Sequence, residues 1–179
     1  GLDGPAQPWH LGFLLGPRIN AGGRIGDAGL GARLLMTDDE VESRSIAAEL
    51  NRLNQERQEI ERAAVEEAVA EVEHRLGDAA EHPVLLVGSA DWHPGVVGLI
   101  AARLKERFRR PAFALARHPD GGATGSGRSV PGVDLGAAVR RAVEAGLAIK
   151  GGGHAMAAGI TLAPGQEAPF IAFMSAELA

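Results

Sequence analysis

The longest regular pattern of apolar and polar residues lies in a segment without glycine or proline, from Asp38 to Leu76. Its apolar residues recur in steps of mostly three, four or seven, which predicts one long amphipathic helix. These residues are Ile46, Leu50, Leu53, Ile60, Ala64, Ala68 and Val72. Thr37 followed by Glu40 predicts a capping box at the start, and Gly77 predicts the end. At 1.5 Å per residue, the helix would extend over roughly 60 Å.

The apolar stripe of this helix is narrow and includes several alanines. A coiled-coil dimerisation arm requires a stronger seam of large apolar residues. We therefore expect residues 38–77 to form a helix that connects two domains of a monomer. Dimerisation through the helix is the alternative.

After residue 81, short apolar runs alternate with helical patterns. Strands are predicted at 84–87, at 112–116, at 123–129, and from the glycine run at 151–154 through Leu162. Helices are predicted at 95–108, at 134–145 and from 166 to the C-terminus. The alternation predicts an α/β domain over residues 78–179, with a parallel and a mixed sheet equally open.

Residues 1–37 form a glycine-rich segment without clear periodicity. We predict that this segment is irregular, and it is too short to bury a core of its own. We therefore interpret it as the end of a preceding domain. The first residue is Gly1 rather than methionine, which suggests a piece of a longer protein.

The negative charge of the chain is concentrated in the long helix. The formal net charge is −5, but residues 38–78 contain 13 acidic residues and 5 arginines, so the remainder carries a net charge of +3. A mildly basic remainder is compatible with a nucleic-acid partner.

The composition excludes several other kinds of protein. The chain has no cysteine, which excludes disulfides and thiolate metal sites. No apolar run approaches the roughly 18 residues that a membrane-spanning helix needs. No signal peptide is recognisable at the start of the sequence, so we expect a cytoplasmic protein.

A run of three glycines followed by histidine is the first candidate binding element. Lys150 precedes Gly151, Gly152, Gly153 and His154. Consecutive glycines can direct several backbone N–H groups at one anion, and His154 can add a donor or a proton. A tight turn without a ligand explains the run equally well. It is not a P-loop, because its lysine precedes the glycines.

The segment 125–129 reads Gly-Ser-Gly-Arg-Ser and is the second candidate. Glycines at alternate strand positions leave a surface bare, so a ligand can approach the backbone closely. Ser126 and Arg128 would then form a phosphate clamp, because arginine binds phosphate with a bidentate fork. The alternative is a glycine-rich edge strand with a solvated arginine. We favour binding, because packing alone would not require Gly125 and Gly127.

The turn that leads into the predicted helix 95–108 contains Asp91, Trp92 and His93. Ligand sites of α/β domains commonly lie at such turns, and helix N-termini attract anions. Trp92 could stack on a base or cover the core, and both roles stay open. Asp91 and His93 have no third ligand nearby, so we predict no metal site.

Two basic groups elsewhere give weaker signals. Arg18 and Arg24 lie in the glycine-rich stretch 16–24, where they could contact phosphates or remain solvated. The basic run 103–110 ends a predicted helix, where the helix dipole favours cations. We assign that run no function.

Taken in order, these segments resemble the RecJ family of the DHH phosphoesterase superfamily. The resemblance rests on Gly-Pro-Arg-Ile-Asn-Ala-Gly-Gly-Arg at 16–24, the long charged helix, Trp-His-Pro-Gly-Val-Val-Gly at 92–98, Gly-Ser-Gly-Arg-Ser at 125–129 and Gly-Gly-Gly-His-Ala-Met-Ala-Ala-Gly at 151–159. It implies a small mixed-sheet DHHA1-type domain at 78–179, a connecting helix at 38–77 and a C-terminal remnant of a DHH domain at 1–37.

The resemblance implies a 5′-to-3′ exonuclease on single-stranded DNA that acts in recombination and repair. The family holds manganese or magnesium with Asp and His residues of the DHH domain, and no Asp-His-His motif occurs here. We therefore expect no catalytic residue, metal site or cofactor in this chain, and no activity of the chain alone. Single-stranded DNA and the missing DHH domain are the implied partners, and no membrane is expected.

By resemblance, the DHHA1 domain also binds phosphates of the substrate. Its binding residues, carried over by motif, are Ser126, Arg128, Gly152, Gly153 and His154, followed by Arg18, Arg24 and His93. His154 could in addition support catalysis.

Other functions stay open. A phosphodiesterase of short oligonucleotides or cyclic dinucleotides shares the Gly-Gly-Gly-His element, although the segments at 92–95 and 126–129 favour RecJ. A non-catalytic RNA-binding module, like the appendage of alanyl-tRNA synthetase, leaves 16–24 and 38–77 unexplained. A dimerising helix with a small α/β domain and no ligand is the third alternative.

Overall fold

The computed structural model describes residues 4–5, 7–76 and 82–179, so the predicted helix end at Gly77 lies outside the described residues. The chain divides into two compact units, Gly1–Ile60 and Glu61–Ala179, and the division falls inside the long helix. The first unit is helical, and the second contains the sheet. The predicted α/β class with a long helix is therefore confirmed.

Helices fill the first unit, including the segment that the sequence predicted to be irregular. Helix α1 is Pro8–His10, a π-helical turn follows at Leu11–Leu15, α2 is Gly16–Ile25 and α3 is Gly29–Met36. The prediction was wrong because a glycine here permits close packing instead of breaking a helix. A Cβ on Gly31 of α3 would lie only 2.7 Å from Ile19 Cγ2 of α2.

Helix α4 spans Glu40–Leu76, which confirms the predicted long helix. Its start differs from the predicted capping box. Asp39 Oδ1 accepts hydrogen bonds from the backbone N–H groups of Val41 at 2.7 Å and Glu42 at 3.2 Å. Thr37 donates to Glu42 Oε2 at 2.5 Å, and this hydrogen bond holds the pKa of Glu42 below its ordinary value. Asp39 is the cap because it directly precedes the first turn and its carboxylate reaches two free N–H groups.

After Ile60, the acidic residues of α4 contact the helix α5, which is Val97–Phe108. Arg103 Nε lies 3.4 Å from Glu61 Oε1, and Arg107 Nη2 lies 2.7 Å from Glu73 Oε1. An exposed ion pair of this kind adds only about 0.2–1 kcal/mol to stability. Two arginines of the basic run 103–110, to which we assigned no function, thus pair with acidic residues of α4.

Five strands form one mixed sheet within the residues that the structure describes. They are β1 (Leu85–Ser89), β2 (Ala112–Arg117), β3 (Ala123–Arg128), β4 (Lys150–His154) and β5 (Ala157–Leu162). Their order is β1-β2-β3-β5-β4, in which β1 and β2 are parallel and the other neighbours are antiparallel. The mixed sheet implied by the resemblance is confirmed.

The glycine run is itself a strand rather than the turn before one. It lies in β4 at the sheet edge, where Gly152 pairs with Gly159 of β5. Ala155 and Met156 connect the two strands. The prediction of a single strand was wrong because a hairpin needs only a two-residue connection, and alanine and methionine are not typical turn residues.

Helices cover the two faces of the sheet unequally. On one face, α6 (Leu135–Glu144) and α7 (Glu167–Glu177) enclose the main core. Phe113 and Phe170 meet there edge to face, with 5.3 Å between ring centroids. On the other face, α5 packs against β2 and β3.

Gly125 and Gly127 point into the main core. A Cβ on Gly125 would lie 2.3 Å from Leu115 Cδ2, and one on Gly127 would lie 2.5 Å from Phe113 Cε1. The interpretation that these glycines clear a binding surface was therefore wrong, because they make room for large side chains of β2. Side chains alternate along a strand, so Ser126 points to the opposite face.

We expect Gly127→Ala to destabilise the second unit, because its methyl group would overlap the Phe113 ring. Overpacking of this kind costs about 1–3 kcal/mol. Gly159→Ala is the matched control on the neighbouring strand, since its methyl group would meet only Gly125 O, at 4.0 Å. Thermal unfolding followed by circular dichroism should give a lower Tm for Gly127→Ala alone. Equal Tm values for the two variants would contradict this packing.

Candidate nucleic-acid interface

Strands β3, β5 and β4 bring four of the eight predicted site residues to one face of the sheet. Directly opposed residues of antiparallel strands point to the same side, and so do residues two apart on one strand. The register therefore defines three rows: Arg128, Ala157 and His154; then Ser126, Gly159 and Gly152; then Thr124, Thr161 and Lys150. We call these nine residues the polar face.

Arg128 and Ser126 form a connected pair at one end of the polar face. Arg128 Nη1 donates to Ser126 Oγ at 2.7 Å and to the Gly127 carbonyl oxygen at 2.8 Å. A Cβ on Gly98 would lie 2.8 Å from Arg128 Nη2 and 3.3 Å from Ser126 Oγ, so the first turn of α5 lies against the pair. The guanidinium and the hydroxyl are half-buried and can bind an anion together.

The remainder of the polar face is uncovered. Gly159 is exposed, and a Cβ on Gly152 would meet no atom within 4 Å. Lys150 and His154 are exposed on the edge strand β4. Because two glycines form the floor between charged or polar side chains, a ligand can lie directly against the backbone.

His154 and Gly153 have different surroundings. His154 shares a row with Arg128, and its Nδ1 accepts a hydrogen bond from the Met156 N–H at 3.3 Å. Gly153 lies one position away from the polar-face rows, and its carbonyl oxygen accepts from Arg140 Nη1 at 3.3 Å. A Cβ on Gly136 would lie 2.8 Å from that same oxygen. The run therefore forms an edge strand that packs against α6.

The turn before α5 resolves the two roles that the sequence left open for Trp92. Its side chain is only 4% exposed, and its Nε1 donates to Glu67 Oε2 at 2.7 Å. A buried indole cannot stack on a base, so the core-covering role is correct. His93 is exposed, and its Nδ1 accepts a hydrogen bond from the Gly95 N–H at 3.0 Å. Gly95 precedes Gly98 by three residues.

Arg18 and Arg24 belong to the first unit and lie on α2 rather than in a loop. Arg18 Nε donates to Asn51 Oδ1 at 3.0 Å, and its Nη1 donates to the Leu14 carbonyl oxygen at 2.7 Å. Its guanidinium therefore ties α2 to α4. Arg24 lines a cavity of about 490 Å³ that also contacts Asn20.

Sequence reasoning missed Gly98, Gly159, Thr124 and Thr161 as parts of this surface. Alternation along 124–128 was a signal for Thr124, because it puts that residue on the same face as Ser126. No comparable signal marks the others, since their proximity depends on strand order and register.

This chain is similar to one known protein family and to several characterised proteins. Residues 81–179 match the family described as DHHA1 domain. The single-stranded-DNA-specific exonuclease RecJ of Dickeya dadantii is 46% identical over 162 residues, which are 85% of this chain and 27% of that protein. The RecJ proteins of Escherichia coli and Bacillus subtilis are 45% and 39% identical over 155 and 160 residues. The chain spans only 27% of the length of the Dickeya and Escherichia proteins and 20% of that of the Bacillus protein.

Solved structures agree with this similarity. The structure of RecJ from Thermus thermophilus in complex with Mn²⁺ superimposes with a TM-score of 0.82 at 33% identity, over 95% of this chain and 24% of that one. A structure of the exonuclease RecJ bound to manganese gives a TM-score of 0.79 at 31% identity, over 96% of this chain and 41% of that one.

The metal of those structures has no matching ligand set in the part of the chain described here. Among residues 4–5, 7–76 and 82–179, no three His, Cys, Asp or Glu side chains are grouped to hold a metal ion. Nor does any helix within those ranges have the length and apolarity to cross a membrane.

The match to the DHHA1 domain covers more than half of the chain, and each relative and solved structure named above is a RecJ protein. The family to which the sequence motifs pointed is therefore confirmed. This chain belongs to the RecJ family, and its residues 81–179 form a DHHA1 domain.

Proposed function

We propose that this chain supplies the substrate-binding face of a 5′-to-3′ single-stranded-DNA exonuclease that acts in recombination and repair in the cytoplasm. The observation that carries this proposal is the register of β3, β5 and β4, which aligns Arg128, Ser126 and His154 on one face of the sheet. The family supports the substrate class, since the relatives are named as exonucleases specific for single-stranded DNA.

In this proposal, Arg128 and Ser126 hold a phosphate of the DNA strand. The two side chains are already hydrogen-bonded to each other, so their positions are fixed before DNA arrives. Arginine presents several N–H donors in one plane, so a single guanidinium can bind a phosphate beside the Ser126 hydroxyl. Gly98 permits this arrangement because a side chain there would displace the guanidinium.

Gly152, Gly159 and His154 complete the surface. A strand of DNA crosses Gly152 and Gly159 in direct contact with their backbone atoms. His154, on the exposed edge strand, offers a ring nitrogen to the same DNA strand. Gly153 contributes indirectly, because it packs β4 against α6. His93 also contributes indirectly, because it stabilises the turn that positions α5. Arg18 and Arg24 act in the first unit, where Arg18 holds α2 and Arg24 is the phosphate candidate.

Few basic residues face the substrate, so binding by this chain as a monomer should be weak and should decrease with salt. The remainder of the protein would supply the DHH domain and its divalent ions. The role of the chain is then to hold the strand rather than to cleave it.

We expect Arg128→Ala to weaken binding of a single-stranded oligonucleotide by about ten- to a hundredfold, because a charge-assisted contact worth roughly 1.5–3 kcal/mol is lost. Arg128→Lys should restore only part of the affinity, since the bidentate fork is absent. Fluorescence anisotropy at two salt concentrations measures both effects.

Arg141→Ala is the matched control for Arg128. Arg141 lies on α6, across the sheet, and pairs with Glu177 at 2.5 Å. The Arg141→Ala variant should bind single-stranded DNA with the affinity of the parent chain. An Arg128→Ala variant with parental affinity and parental Tm would contradict the clamp.

We expect Gly98→Ala to separate binding from stability. Alanine is favoured over glycine by up to about 1 kcal/mol in a helix, so the Tm should stay level or rise. DNA affinity should nevertheless fall, because the added methyl group would lie 2.8 Å from Arg128 Nη2. Anisotropy and thermal unfolding of the same preparation test this pair of effects. Unchanged affinity with unchanged Tm would count against a site beside α5.

We expect the chain alone to release no nucleotides from single-stranded DNA with Mn²⁺ or Mg²⁺. Phosphodiester hydrolysis in such enzymes needs a metal-activated nucleophile, and the described residues offer no ligand set for it. A release assay on a labelled oligonucleotide with the purified chain measures this. Metal-dependent release that co-purifies with the chain through two further columns would refute the expectation.

A further inference from the structure

We propose that the third row of the polar face, Thr124, Thr161 and Lys150, is a second phosphate contact for the same DNA strand. This inference rests on the proposed function of the polar face and extends it by a distinct set of residues. One strand would then cross the face from Arg128 to Lys150. The row would contact the phosphates of the DNA strand and make no contact with its bases.

The third row has the accessibility that such a contact needs. Lys150 is exposed, and both threonines are half-buried. A shallow cavity of about 380 Å³ opens at these three residues and is bordered by Gly159 of the second row. Within the described chain, the side chains of this row have no hydrogen-bond or ion-pair partner, so their donors are available to a ligand.

The spacing of the rows suits a repeated ligand. Rows lie two residues apart along a strand, or about 6.8 Å, and neighbouring strands are about 4.8 Å apart. Lys150 is two rows and two strands away from Arg128, which puts their backbone positions roughly 17 Å apart. That separation allows the two residues to contact successive phosphates of an extended strand.

The chemistry of the row fits a phosphate rather than a base. Lys150 carries a compact charge with three donors, and the threonine hydroxyls can donate to phosphate oxygens. The row has no aromatic ring on which a base could stack. Gly159 and Gly152 lie between the two charged ends, so no side chain blocks the path of the strand.

The test is binding of an octathymidylate to Lys150→Ala, measured by anisotropy over a series of salt concentrations. Affinity should fall by roughly three- to tenfold, as for an exposed charge-assisted contact. The slope of log affinity against log salt should also decrease by about 0.7, the value for one phosphate contact on a single strand. The double variant Thr124→Val, Thr161→Val should lower affinity by a smaller factor and leave the slope unchanged, because it removes no charge.

Lys105→Ala is the matched control, since Lys105 is the only other lysine of the chain and lies near the end of α5 away from Gly98. It should keep parental affinity and slope. Amide chemical shifts of the chain, titrated with the same oligonucleotide, should move at residues 124, 150 and 161 as well as at 126 and 128.

Two failures are distinguishable. If Arg128→Ala weakens binding but Lys150→Ala changes neither affinity nor slope, the second contact is wrong and the proposed function stands. If neither variant weakens binding and the shifts occur elsewhere, the polar face is not the DNA site and both proposals fall. Equal effects of Lys105→Ala and Lys150→Ala would also refute the second contact, because the loss of affinity would then depend on the net charge of the chain and not on the position of the lysine.

Discussion

The pairing register of β3, β5 and β4 is the constraint on which the second unit depends. Side chains alternate along each strand, so a shift of one residue would exchange the core face with the polar face. In the observed register, Ile160 and Leu162 enter the main core, while Ser126 and Arg128 face the other way. Burial of the apolar set therefore also determines which side chains lie on the polar face.

Glycines serve three different purposes in this chain. Gly31 lets two helices approach, Gly127 makes room for Phe113, and Gly152 keeps a surface bare. A methyl group would clash at the first two positions and meet open space at the third. Only the third kind bears on ligand binding, so glycine content by itself is a poor guide to a binding surface.

Part of the negative charge of α4 is neutralised by arginines of the same chain. Part of the acid of α4 is paired within the helix, as in Arg52 with Glu49 at 2.7 Å. Another part is paired with Arg103 and Arg107 of α5. Most of these pairs are solvent-exposed and therefore weak individually, yet together they neutralise part of the negative charge of α4.

The sequence by itself determined the long helix, the α/β class, the family and the residue types of the candidate site, because periodicity and ordered motifs are local properties of the chain. It singled out Ser126, Arg128 and His154 through local motifs and family resemblance, but it misjudged why Gly125 and Gly127 are present. It also mistook α2 and α3 for irregular chain, since helix packing through Gly31 depends on a partner helix. Only the tertiary structure decided which glycines face the core, that Trp92 is buried against Glu67, and that Thr124, Thr161 and Lys150 share a row. Strand order and register bring together residues that are far apart in sequence, and no local pattern encodes that order.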